Sequence, residues 1–525
     1  MKDEVADRVG ADGCAGQEAA HRRARGWGAG NSAECLAGGR GGGRADGCAG
    51  QEAAHRRARG GVWRLASGLT RLAMGVIGGL AVWCLPVVVK GERLAFHFVA
   101  RELANLTFEL DAMAGLSGAD GEAFRALWRR ELRWDGEDDR QLDRWKSLRL
   151  AHRGAPGPPP KTGWPPNYAG FYGREFERDQ NVRIAGFQAR SVKDYGKRLG
   201  RVLEPRDADG LVSVVKHFAG RFGEFWAREG RGLTEPKAVG LARLARERGI
   251  VALAEQFAVF TEAELPRRHD VWFYLMAHPA RFGRDTMATQ LQSHAPVEML
   301  DEERPEDKLG VIVHELVHHF YDRVPLGRHM GLMAEFRGLA PDWRMAAYSY
   351  LNEAVATAAG VLVERRLRTD AEFAKWVADP RKVYAQPWIA ALGTAAYPLV
   401  ERCLGGGCGL FSGFAGPYVA AVEAALGPRA RHAHFRLASR ILVLGNGRLA
   451  GASRLFRERV PSILHATGWE QLTRFPELPV VMLALEGEQA ELLQRIGPGR
   501  DVTVLIGSTP EAVEREVERF ALRPF

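Results

Sequence analysis

Six cysteines in a chain of 525 residues are too few for a scaffold built on disulfides. Cys14, Cys35 and Cys48 fall in the first sixty residues, and Cys84 lies in an apolar run. Only Cys403 and Cys408 stand in the globular part, on either side of Leu404-Gly405-Gly406-Gly407. They either close a small loop in an oxidising compartment or remain two free thiols. With no second pair nearby, a zinc site built from four cysteines is disfavoured. A basic stripe is missing as well. Much of the excess behind the formal charge of +9 sits at Arg22, Arg23, Arg25, Arg56, Arg57 and Arg59, while the body mixes Arg with Glu. Nucleic acid is therefore not an expected partner. Asp135-Gly136-Glu137-Asp138-Asp139 lacks the residue order of an EF-hand loop and reads as an acidic helix start.

What is present is ordinary for a folded protein: 46% hydrophobic and 26% charged residues, with length for two to four domains. Residues 1–60 are the exception. The segment Ala11–Gly26 recurs as Ala45–Gly60, separated by a Gly/Ala/Arg spacer without apolar periodicity. Two copies cannot stack into a solenoid and the composition buries no core, so 1–60 reads as disordered and as translated upstream sequence. Residues 61–91 read as a signal-anchor or signal peptide. Their core, Leu72–Val89, has no charge and is flanked by Arg64, Arg71, Lys90 and Arg93. No small-residue cleavage site follows it, so membrane attachment through 72–89 is expected, with the rest of the chain outside the cytoplasm in the cell envelope.

Residues 92–153 read as a helical N-terminal region, because Leu94, Phe98, Leu103, Leu106 and Leu110 recur at helical spacing. Gly154–Pro166 is a Pro/Gly linker, and 167–475 is the main domain. Within it Val271–Leu275 is a strong strand signal, and Thr286–Gln292 alternates more weakly after a turn at Pro279–Asp285. These predict a hairpin or sheet edge feeding a helix from near Pro305. Residues 400–470 read as mainly helical. Residues 476–525 alternate strand and helix, a small α/β unit without a phosphate-binding glycine motif. The expected fold class is α+β, predominantly helical.

The chemistry centres on His314-Glu315-Leu316-Val317-His318, an H-E-x-x-H motif among Val311, Ile312 and Val313. A helix turns by about 100° per residue, so His314 and His318 share one face and can bind one zinc ion. Glu315 is then placed to deprotonate a metal-activated water. His319 projects from another face and reads as a hydrogen-bonded neighbour. A catalytic zinc needs a third protein ligand. Tyr350-Leu351-Asn352-Glu353-Ala354-Val355-Ala356 offers Glu353, 35 residues beyond His318. Glu335 and Glu364 are rivals without the Asn-Glu-Ala context.

The paired motifs resemble those of the gluzincin peptidases, the group that includes thermolysin and the aminopeptidase N family. These join H-E-x-x-H to an N-E-A or W-L-N-E-G-x-A segment whose Glu binds zinc. The resemblance implies a thermolysin-like zincin domain with a His314/His318/Glu353 zinc site, Glu315 as general base and a peptide or protein substrate. It also implies an oxyanion donor downstream of Glu353, for which Tyr384, Tyr397, His432 and His434 are candidates and Tyr397 is chosen. Two departures stand out. Thr357 occupies the place where thermolysin-like enzymes carry an Asp that supports a zinc-bound His, and residues 286–299 lack the G-x-M-E-N strand of aminopeptidases. The first leaves an alternative open, a catalytically impaired zincin-like binding or scaffolding protein.

Overall fold

The computed structural model describes residues 86–153, 173–431 apart from 342, and most of 440–521. The repeat segment, residues 72–85 of the apolar run and the linker lie outside the described residues. The described chain is predominantly helical and carries a small mixed sheet, an α+β arrangement.

The mixed sheet has the order β1 (Val87–Lys90), β2 (Leu94–Ala100), β3 (His269–His278), β4 (His294–Leu300). β1 is antiparallel to β2, and the other two pairs are parallel. Val87–Val89, the end of the apolar run expected to anchor the chain, thus form a strand rather than part of a spanning helix. Among the described residues no helix is long and apolar enough to cross a membrane. The helical expectation for the start of 92–153 is also corrected. Leu94 and Phe98 fit a helical period, but Phe96 between them supplies the period of two, and all three are buried on one face of β2. The helix begins only at Glu102.

No hairpin joins β3 to its neighbour. β4 runs parallel to β3, and its apolar run is broken in sequence by Pro296 and Glu298, which hid it from pattern reading. The alternating segment 286–292 instead lies antiparallel along the outer side of β4, with Ala288 opposite Val297 and Leu291 opposite His294. A two-residue turn closes this edge, and Gln292 takes a left-handed φ of 53° to make it.

Residues on both sides of the linker share one core. Asn105 donates to Leu275 O (3.0 Å) and accepts from Ala277 N (2.6 Å), fastening helix Glu102–Met113 to β3. Arg149, almost wholly buried, pairs with Asp111 (3.1 Å) and Asp179 (2.6 Å) across the linker. A buried charge with both acidic partners satisfied is tolerated where a lone one is not.

Behind β4 comes the motif helix, Glu306–Asp322, which starts after Pro305 as the sequence implies. Glu306 and Asp307 in its first turn complement the helix dipole. Leu309, Ile312, Val313, Leu316, Val317 and Phe320 are all buried, each worth about 1.5–3 kcal/mol on transfer from water. The ligand helix, Arg344–Leu367, packs on it at a pair of glycines: a Cβ on Gly360 would stand 3.3 Å from Gly310 O. On its other side, Gly393 of helix Pro387–Arg402 accommodates Thr357. That last helix ends at Cys403, which is disulfide-bonded to Cys408, so the loop form of the two sequence alternatives is the one found. Closing so short a loop is worth about 2 kcal/mol by chain entropy.

The C-terminal unit begins earlier than position 476. Four parallel strands, β5 (Arg440–Leu444), β6 (Leu464–Thr467), β7 (Val480–Leu485) and β8 (Val502–Gly507), form a sheet ordered β6-β5-β7-β8. The span 400–470 is accordingly not all helical.

Gly393→Ala would place a methyl 2.3 Å from Thr357 Cγ2. The expected cost is about 1–3 kcal/mol of stability in urea unfolding. Adding Thr357→Ser, which deletes that methyl, should recover part of the loss.

Candidate metal centre

His314 and His318 sit one turn apart on the motif helix with their Nε2 atoms 3.1 Å from each other. Glu353, on the ligand helix, brings Oε2 to 3.5 Å from His314 Nε2 and 3.7 Å from His318 Nε2. One ligand atom from each of the three lies within 4.8 Å of the others, and no second such group occurs among the described residues. His314 is buried while His318 and Glu353 are half-buried, so the cluster opens to solvent on one side. Two imidazoles and a carboxylate converging this way are a donor set that fits zinc, with a side left for water or substrate.

Second contacts orient the set. His318 Nδ1 donates to Asn352 Oδ1 at 3.0 Å, which leaves the Nε2 lone pair facing the cluster. Burial works against charging this ring. Glu353 and then Glu315, with Asn352 and Asp322, outweigh it and hold the His318 pKa above its ordinary value. Glu315 is buried and adjacent to His314 in the chain, pointing from the next position round the helix. Tyr384 donates its hydroxyl to Glu353 Oε2 at 3.3 Å, and its ring centre lies 5.6 Å from that of His314.

The structure therefore brings His314, His318 and Glu353 together as the sequence implies, and corrects the choice of phenol. Tyr397 stands edge-on to Phe373 at 5.9 Å, a packing contact, and Tyr384 is the phenol on the cluster. The signal for Tyr384 was weak because it lies in a short connection with no periodicity. His432 and His434 lie outside the described residues. Glu335 is exposed, and Glu364 is paired with Arg368 at 2.6 Å, so neither rival joins the cluster. Thr357, which stands where the resemblance would put a supporting Asp, gives His318 no hydrogen bond. Its buried Oγ1 has no hydrogen-bond partner among the described residues, and the bond to His318 comes from Asn352. The position before the ligand Glu was legible in the sequence, but its role was not.

His319 faces away from the cluster. Its Nε2 lies 2.8 Å from His269 Nε2, with the rings parallel to within 4°. Burial, then His269 and Arg323, push the His319 pKa down to about 3, so the ring is neutral.

Asn352→Ala should lower the His318 pKa in the metal-free protein, because the lost acceptor favoured the charged ring. Histidine proton NMR followed from mildly acid to alkaline pH measures this, with an unchanged titration as the contrary result. Compared with known protein families, characterised proteins and solved structures, the chain matches none.

Proposed function

We propose that this protein is a zinc-dependent peptidase with a thermolysin-like catalytic domain. The observation that carries the reading is the convergence of His314, His318 and Glu353 from two helices onto one point. When bound there, zinc supplies a Lewis acid that acidifies water and polarises a carbonyl. Glu315 accepts the proton of the attacking water and returns it to the nitrogen of the breaking C–N bond, so the amine leaves neutral. Tyr384 is close enough to the cluster to donate to the oxyanion that develops on the former carbonyl oxygen. Asn352 holds the His318 ring in its ligating tautomer.

The substrate reading rests on the sheet edge. Thr289 N bonds Pro296 O at 3.3 Å and Leu291 exchanges bonds with His294, so these residues face β4. Ala288 and Gln290 alternate with them along this outer segment, and we place the pairing of an extended peptide there. Two features support work outside the cytoplasm in the cell envelope. They are the Cys403–Cys408 disulfide and the apolar run flanked by Arg64 and Arg71, which we read as the membrane attachment. The rival reading, a catalytically impaired zincin-like binding or scaffolding protein, draws on the hydroxyl of Thr357, which has no partner among the described residues.

Glu315→Gln separates the two. Peptide cleavage by the wild type should fall by about 10²–10⁴-fold in the variant while zinc content stays at one per chain. Zinc-loaded wild type that cleaves no peptide would favour the scaffold. Tyr384→Phe should lower kcat by about 10²–10³-fold with little change in KM, whereas Tyr397→Phe leaves both near wild type.

A further inference from the structure

His269 opens β3 inside the sheet. Its backbone N–H donates to Arg93 O at 2.8 Å, and it pairs in register with Leu94 of β2. Its side chain is 7% exposed and meets His319, 2% exposed, through the 2.8 Å contact between Nε2 atoms. His319 follows His318 directly. We propose that His269 is a positioning residue for the zinc site: its bond to His319 sets the rotation of the motif helix and thereby the direction in which His314 and His318 present their Nε2 atoms. This inference rests on the zinc reading above.

The contacts around the motif helix are mostly apolar, and apolar contacts are non-directional, so they resist a small roll of the helix weakly. A hydrogen bond between two buried rings is directional, and breaking it strands a donor or an acceptor away from water. Between neutral imidazoles one ring gives an N–H and the other a lone pair, which a single register of helix against strand allows. Successive helix residues point about 100° apart. His318 is held by Asn352 from the ligand helix, and His319 is held by His269 from the sheet. The turn that carries the ligand is thus clasped from two directions. His314, one turn earlier on the same face, follows it. The pair is not a second cation site, since no third ligand converges there among the described residues, and burial, followed by neighbours that include Arg323, disfavours positive charge on both rings.

The experiment uses the full chain with His269→Leu, His269→Gln and the double variant His269→Leu/His319→Leu. Zinc affinity is read by competition with a chromophoric chelator, and ligand geometry by the visible spectrum of the cobalt-substituted protein. Stability is read by urea unfolding. His269→Leu should weaken zinc binding by about 10–100-fold and shift the cobalt bands. His269→Gln, which keeps a donor and an acceptor, should recover much of the affinity. The double variant leaves no stranded polar atom and should regain stability while zinc binding stays weak, a split that a purely structural role does not produce. Wild-type affinity and cobalt bands in His269→Leu and the double variant would overturn the proposal. A wild-type chain that takes up no zinc would sink the metal reading instead. Crystals of metal-free wild type and His269→Leu then decide: His318 turned away from Glu353 supports the role of His269, and an identical arrangement overturns it.

Discussion

The close approach of two helices at Gly310 and Gly360 is the constraint on which the centre depends. Side chains usually keep helix axes about 8–10 Å apart. Here a Cβ on Gly360 would meet Gly310 O at 3.3 Å, so the two backbones nearly touch. His314 lies one turn beyond Gly310, and Glu353 lies two turns before Gly360. A carboxylate side chain is short, and the 3.5 Å between Glu353 and His314 leaves no slack for a wider spacing. The contact of Thr357 with Gly393 presses the ligand helix from the opposite side. Small residues at both seams are therefore as much a part of this geometry as His314, His318 and Glu353 themselves.

Bringing three polar ligand groups to the edge of an apolar core is costly unless each is partnered. Asn352 Oδ1 accepts a hydrogen bond from the Nδ1–H of His318, Tyr384 donates to Glu353, and solvent reaches the half-buried members. The motif helix meets the remaining demand by dividing its polar residues between faces. His314 and His318 turn to the ligand helix, while His319 turns to the sheet and finds His269. One short stretch thus serves a chemical face and a packing face, and consecutive histidines do different work because a helix separates them in angle.

The two sheets differ in how plainly the chain announces them. β3 was legible as an aromatic-rich apolar run, and β7 and β8 as short apolar runs rich in β-branched residues. β2 was masked because Leu94 and Phe98 satisfy a helical and an extended period at once, and the choice falls to pairing with β3. β4 carries Pro296 and the buried Glu298, which is held by His278 at 2.9 Å and by Met287 N. Its polarity is satisfied by partners that no local pattern can reveal. β5 and β6 likewise became strands through parallel pairing with residues far along the chain.

The sequence by itself determined the helix that carries His314, Glu315 and His318. The period that puts both histidines on one face is a local property of the backbone, and the apolar neighbours declare that the helix is buried. It also singled out Glu353, through the Asn-Glu-Ala segment. Only the tertiary structure decided that this Glu meets the histidines, because that depends on glycine seams between helices distant in the chain. It likewise placed Tyr384 rather than Tyr397 beside Glu353, and Asn352 rather than Thr357 against His318. A hydrogen-bond partner is a matter of direction and distance across elements, and residue identity alone carries neither.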